Sequence, residues 1–428
     1  MSKISLLANK IHGRFFRNTG WLLFERIFQL VISLFVTALM GRYLGTERYG
    51  LLNYGLAYVT IFTTVCKLGI DSIIVNEIIK TRQKTGELLG TTILLRFVSA
   101  ILSIGVIYLV VYILNPDDKI LQMVTVIQSF SLLFVSVDTV AYWFQSNLES
   151  KYAVISKSIA FAVVSAWRLV LIWLQAPLIY FAVATIIEAL VMGIFLLIFY
   201  YRFHGQKLKF RRATTKRLLT ISQHFIFSSL LVMIYTQMDR IMLGQLAGNS
   251  AVGIYTAAMT IASLWVFIPY ALIDSARPII LTAKEKDNGL YERRLKQLYC
   301  AVFWISVGAS IFFSLLGKPL VHILYGKAYL AAVPVLSTLI WSRLFSLMGV
   351  IRDIWLIGEK HYRYVKYFVG CGALINVALN MLLIPQIGAL GAAVATLFTE
   401  FIASILVTAI PKKTRPLVAL IFKAIIFK

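Results

Sequence analysis

Charged residues are scarce in this chain. They fill 14% of its 428 positions, against about a quarter of a soluble domain. Acids are scarcest, with 18 Asp and Glu set against 42 Lys and Arg. Cysteine is nearly absent, and Cys66, Cys300 and Cys371 have no paired spacing, which excludes a disulfide framework or a cysteine metal site. His12, His204, His224, His322 and His361 lie in loops or near expected helix ends, and no His-Glu-x-x-His pair occurs, so no metal or cofactor is expected. A glycine-rich loop ending in Gly-Lys-Ser/Thr is also missing, which excludes ATP hydrolysis by that route. Energy for any transport then comes from an ion gradient, the membrane potential or substrate flux.

Apolar residues are abundant instead. They make up 60% of the chain, and the mean hydropathy is +0.83. The runs from Trp21 to Met40, Ile93 to Leu114 and Leu178 to Tyr201 reach the roughly 20 residues a helix needs to cross hydrocarbon. They lack barrel alternation, and no water inside the bilayer can satisfy an open backbone, so the spans are helices. Breaking at glycine, proline and charge gives roughly twelve spans, near 19–41, 50–70, 88–114, 119–145, 152–174, 178–201, 218–243, 251–276, 295–316, 329–357, 361–384 and 388–410. The expected fold is an all-α membrane protein of two parallel six-helix bundles. Its divisions are a cytoplasmic amphipathic N-terminus over 1–18, a first bundle over 19–201, a basic cytoplasmic linker over 202–217, a second bundle over 218–410 and an interfacial tail over 411–428. The first run is longer than a signal-peptide core and has no small-residue cleavage site, so it reads as a retained anchor.

Basic residues set the expected orientation. About 30 of the 42 Lys and Arg fall on one side, notably in 80–84, 201–217, 284–296 and 412–415, while the other side keeps Arg42, Arg48, Lys119, Lys318 and Lys327. Both termini are then cytoplasmic. The net charge of +24 follows from topology and contact with anionic lipid, with no need for a nucleic-acid partner. Asp117 and Asp118, in the stretch Asn-Pro-Asp-Asp-Lys, read as a helix cap rather than a metal-binding loop.

An internal repeat is visible. Gly41, Gly45 and Gly50 stand 203 residues before Gly244, Gly248 and Gly253, and Ile-Asp-Ser at 70–72 returns at 273–275 with the same offset. Later the offset grows, and Trp143 and Tyr152 match Trp355 and Tyr364 at 212 residues. An even number of spans per repeat makes the copies parallel, related by an axis along the membrane normal. The glycines read as turns between spans one and two and between spans seven and eight.

Ionisable residues inside spans cost about 3 kcal/mol or more each, so each asks for a reason. Arg26, Arg96, Arg168, Arg240, Arg343 and Arg352 are candidates to line a cationic cavity, since guanidinium forks suit phosphate oxygens. Asp239, Asp353, Glu188 and Glu400 are candidates for coupling to H⁺ or Na⁺. The alternative for each is an interhelical ion pair or a residue snorkelling to the surface. The doublets Glu25-Arg26, Asp239-Arg240 and Arg352-Asp353 point about 100° apart on a helix, so each member is expected to seek a partner on another helix.

With this architecture in place, three stretches resemble the Wzx-type polysaccharide flippases of the multidrug/oligosaccharidyl-lipid/polysaccharide exporter superfamily. They are Glu25 to Gly50, the Leu-Gly-Ile-Asp at 68–71, and Gln237 to Tyr255. The resemblance implies a MATE-like fold in a bacterial cytoplasmic membrane. It also implies translocation of undecaprenyl-diphosphate-linked oligosaccharide to the outer leaflet by alternating access, alongside the polymerase of the same pathway and membrane lipids. It strengthens Arg26, Asp239 and Arg240 as site residues. Two other classes remain open: a cation-coupled multidrug antiporter, whose cavity should be acidic, and a membrane-embedded polymerase or acyltransferase. The last two call for a large outer loop and an intramembrane histidine, respectively.

Overall fold

The apolar runs fold as helices. The computed structural model describes residues 3–425, with side chains from Gln29 onward except Val31, His224 and Ser228, and contains no strand among them. The side chains of the expected N-terminal segment 1–18, and of Glu25 and Arg26, lie outside the described residues.

The chain divides into two units, one of residues 1–43 and 54–237, the other of residues 44–53 and 238–428. The first holds most of α1 (Lys3–Cys66), then α2 (Asp71–Lys80), α3 (Thr85–Leu114), α4 (Lys119–Ser129), α5 (Ser131–Val135), α6 (Thr139–Ser146), α7 (Ser150–Trp173), α8 (Leu178–Arg202) and the greater part of α9 (Arg212–Ala247). The second holds α10 (Asn249–Ala262), α11 (Phe267–Lys286), α12 (Asn288–Tyr325), α13 (Ala332–Gly358), α14 (Arg363–Phe401), α15 (Val407–Ala409) and α16 (Arg415–Ile425).

Among the described residues nine helices are long and apolar enough to cross a membrane, or ten if α10 and α11, bent by 52°, form one span. Two of these carry an internal break. Gly45, at φ 72°, interrupts α1, and Ile387 and Gly388 interrupt α14. These breaks fall where spans one and two, and eleven and twelve, divide in the sequence, so each of these long stretches is two helices joined at non-helical residues. The Asp118 carboxylate accepts the Leu121 N–H at 2.9 Å, which makes it the cap of α4.

In the first unit, Ile70, Ile74 and Ile78 lie one helical turn apart and pack with Leu88, Phe144 and Leu196. The basic segment 202–217 is fastened beside this core. The Gly86 N–H donates to Gln206 Oε1 at 3.0 Å, the Lys209 N–H donates to the Gly86 carbonyl at 3.1 Å, and the Arg211 N–H donates to Thr91 Oγ1 at 3.1 Å. Arg211 and Arg217 then pair with Glu87 and Glu77, both at 3.3 Å. In the second unit, α16 buries Leu417, Leu420, Ile421 and Ala424, with α12 as its main neighbour, so this part of the tail carries its apolar face inward.

The repeated glycines do more than turn the chain. Gly45 and Gly248 both take positive φ, at 72° and 82°, as the turn reading requires. Gly50 and Gly253 act differently: a Cβ on Gly50 would lie 1.7 Å from the Asn249 carbonyl oxygen, and one on Gly253 would lie 2.0 Å from the Thr46 carbonyl oxygen. Thr46 and Asn249 are themselves repeat mates, 203 residues apart, so residues 46–50 and 249–253 cross as copies of each other. Small residues four apart allow such backbone contact in membrane helices. Ser250 Oγ adds a hydrogen bond to Thr46 Oγ1 at 2.8 Å. Gly50→Leu or Gly253→Leu is expected to destabilise the protein by about 3 kcal/mol or more through overpacking. Gly105→Ala, where the added methyl meets nothing within 4 Å, should leave the thermal midpoint of the purified protein unchanged. Equal midpoints for all three variants would refute the crossing.

Candidate functional site

The site is built from the second unit. Asp239, on α9, is 6% exposed and accepts three hydrogen bonds from neutral donors: Tyr255 Oη at 2.6 Å, Asn380 Nδ2 at 2.7 Å and Thr396 Oγ1 at 2.8 Å. Tyr255 comes from α10, while Asn380 and Thr396 stand on either side of the break in α14. Asn376, one turn before Asn380, accepts a second contact from Asn380 Nδ2 at 3.0 Å. The Asn380 Oδ1 atom is buried with no hydrogen-bond partner. No ion pair to Asp239 occurs among the described residues. The hydrogen bonds that hold this buried carboxylate come from neutral donors, and the oxygens around it suit a hard cation. Groups of three or more His, Cys, Asp or Glu able to hold a metal are absent among the described residues.

Arg240 follows Asp239 on α9. It lies within Coulombic reach of Tyr255, Tyr49, Asp239 and Arg343. Arg343, on α13, donates to Met259 Sδ and, at 3.5 Å, to Ser263 Oγ, while its Nε is buried without a partner. It forms no ion pair among the described residues. Two guanidiniums are thus brought near one another beside a carboxylate.

Arg352 and Asp353 behave otherwise, which corrects the expectation that such a doublet cannot neutralise itself. Arg352 Nε and Nη2 reach back to Asp353 Oδ1 at 3.1 and 3.0 Å. The long arginine stem spans the 100° offset that shorter side chains could not. Its Nη1 donates to the Ala403 carbonyl at 2.9 Å, and its plane lies 4.8 Å from the Phe368 ring. Arg352 is fully engaged.

In the first unit Arg96 is completely buried on α3 and pairs with Asp71 at the start of α2. Lys67 reaches the other Asp71 oxygen at 3.5 Å, and Cys66 Sγ donates to the Arg96 carbonyl at 3.4 Å. Two guanidinium nitrogens, Arg96 Nε and Nη1, are buried without hydrogen-bond partners. Arg168 and Glu400 are half-buried and engaged with neighbours, on α7 and α14. Glu188 is half-buried on α8 and forms no ion pair among the described residues.

The sequence alone missed Tyr255, Asn376, Asn380 and Thr396. Asn376 and Asn380 carried a usable signal, since Asn-Val-Ala-Leu-Asn sets two amides on one face of an apolar helix. Tyr255 ends the stretch Gln237 to Tyr255 that carries the resemblance, but nothing in the sequence set it or Thr396 beside Asp239.

Removing one member of a buried ion pair costs about 3–5 kcal/mol, more than removing both. Asp71→Asn is therefore expected to lower the thermal midpoint sharply, and adding Arg96→Met is expected to restore much of the loss. A double variant less stable than the single one would contradict this pairing.

The comparisons with known proteins agree with this architecture. Residues 225–382 match the MatE family. The capsular polysaccharide biosynthesis protein CapF of Staphylococcus aureus is 25% identical over 409 residues, covering 91% of this chain and 97% of CapF. The probable flippase AglR of Haloferax volcanii is 28% identical over 193 residues, which span 43% of this chain and 40% of AglR's own length. Among solved structures, an inward closed lipid II flippase MurJ superposes with TM-score 0.73 at 16% identity, covering 94% of this chain and 90% of MurJ. An inward-facing multidrug resistance MATE family transporter of the MOP superfamily superposes with TM-score 0.72 at 13% identity, covering 92% and 96%. At these identities the structures show a shared MATE-like fold. Residues 15–283, more than half the sequence, match the family described as Polysaccharide biosynthesis protein, and the chain belongs to that family.

Proposed function

We propose that this protein is a flippase that moves an undecaprenyl-diphosphate-linked oligosaccharide from the cytoplasmic to the outer leaflet by alternating access, coupled to a monovalent cation. The likeness to CapF over nearly the full length of both chains carries the saccharide assignment. Arg240 and Arg343 are the groups that meet the diphosphate, because a guanidinium presents paired donors to phosphate oxygens. Asp239 with Asn376, Asn380 and Thr396 takes the coupling Na⁺ or H⁺. In this reading both termini are cytoplasmic, the basic connections lie on the inner face, and the polymerase of the pathway receives the product. The chain itself makes and breaks no covalent bond.

A cation-coupled drug antiporter shares the fold, and the MATE likeness keeps it in view. Arg343, buried at its Nε and without an acidic partner among the described residues, speaks against cationic cargo.

Deleting the gene is expected to strand lipid-linked repeat units on the inner leaflet, detected by mass spectrometry of extracted lipids. Normal surface polysaccharide in the deletion strain would refute the assignment. Arg343→Ala should cut polysaccharide export at least tenfold at unchanged protein level, while Arg42→Ala should leave it within twofold. Asp239→Asn should remove the dependence of transport on the Na⁺ or H⁺ gradient in proteoliposomes. Retained gradient dependence would show that the coupling site lies elsewhere.

A further inference from the structure

A cavity of about 270 Å³ opens in the first unit where three connections meet, those joining α2 to α3, α6 to α7 and α8 to α9. The oligosaccharide site proposed above does not use it. Its walls combine two kinds of group. Trp143, Tyr152 and Phe203 supply aromatic surface, with the Tyr152 and Phe203 ring centroids 4.3 Å apart. Arg82, Glu149 and His204 supply polar groups, and none of these three takes part in an ion pair among the described residues.

The walls are held rigidly. Trp143 packs edge-on against Phe144 and Tyr200, each with centroids 4.9 Å away. Gln206 Nε2 donates to the Arg82 carbonyl at 2.9 Å while its Oε1 accepts the Gly86 N–H. Tyr200 Oη donates to the Gln206 carbonyl at 2.6 Å, which ties the last connection to α8. Leu148, between the aromatic and acidic residues, is held at φ 56°, a left-handed conformation that costs a bulky residue energy and persists only when its surroundings impose it.

The internal repeat supplies a control. Trp143, Leu148 and Tyr152 correspond to Trp355, Lys360 and Tyr364 at an offset of 212, and Lys360 takes φ 58°, matching Leu148. The second copy keeps the backbone and fills the polar positions. Glu359 pairs with Lys284 at 2.7 Å, and Lys284 in turn lies 4.8 Å from the Tyr291 ring centroid. In the first copy, Asn147 stands where Glu359 stands in the second, and Glu149 is left without a cation. The open polar groups are therefore not a by-product of the fold, since the same fold closes them elsewhere.

From these observations we infer that this cavity binds a single saccharide ring. A pyranose has an apolar C–H face that suits aromatic carbon and a rim of hydroxyls that both donate and accept. Glu149 and Arg82 both line this space, and a carboxylate accepts from such a rim while a guanidinium donates to it. An anion such as phosphate fits less well, because Glu149 would repel it. The volume falls just under the roughly 300–1,000 Å³ of sites for drug-sized ligands, so one ring fits and a longer chain extends outward. The proposal rests on the flippase reading only for its biological role, as a place where the sugar end of the cargo docks before passage.

The test uses the full chain in lipid nanodiscs, which avoids sugar-headed detergents, and saturation-transfer NMR with glucose, N-acetylglucosamine and glucuronic acid, each at millimolar concentration. Ring-proton signals are expected from at least one sugar, reduced fivefold or more by Glu149→Gln and by Tyr152→Ala, and unaffected by excess inorganic phosphate. Arg82→Gln, at an exposed position, gives a third reading should Tyr152→Ala fail to fold. Absence of signal from all three sugars, signal unchanged in every folded variant, or displacement by phosphate would each overturn the proposal. Because binding is read without transport, its failure is distinct from normal export in a deletion strain, which would overturn the flippase reading instead.

Discussion

Hydrocarbon offers no hydrogen bonds, so every polar group placed inside these helices must be satisfied by the protein itself. That constraint separates the intramembrane charges into those the fold has settled and those it has left unsettled. Arg96 with Asp71 and Arg352 with Asp353 are settled by opposite charge. Asp239 is settled by hydrogen bonding alone, with its charge uncompensated by any ion pair among the described residues. The proposed coupling to a monovalent cation rests on a group of the second kind.

The same constraint explains why the halves of the chain differ in use. The first unit pairs Arg96 with Asp71 and has polar groups at its connections, around Glu149 and Arg82. The second unit pairs Lys284 with Glu359 at the corresponding connections and holds Asp239 within the helices by hydrogen bonds from neutral donors. A shared backbone therefore supports two chemistries, set by a handful of side chains.

Much of the fold was legible in the sequence because hydropathy and glycine spacing are local signals. The helices, the repeat and the cap at Asp118 all follow from residues close together in the chain. Pairings between helices were not legible. Nothing within four residues of Arg96 announces Asp71, and nothing in the pattern of Arg352 shows that its stem would fold back on Asp353. The sequence flagged Asp239 as costly yet could not reveal the donors that make it tolerable, since nothing in it set Tyr255 or Thr396 beside Asp239. Gly50 and Gly253 were seen as members of a rhythm, but their shared contact needed coordinates.

That contact differs in kind from the ion pairs at Arg96 and Arg352. Where residues 46–50 meet residues 249–253, backbone lies on backbone, and Ser250 adds a hydroxyl-to-hydroxyl bond to Thr46. A neutral bond of this sort contributes only about 1 kcal/mol, and no buried ion must be rehydrated when it breaks. Close fit of glycine backbone, rather than strong polar bonding, is what this crossing depends on, so a side chain at either glycine is what it can least accommodate.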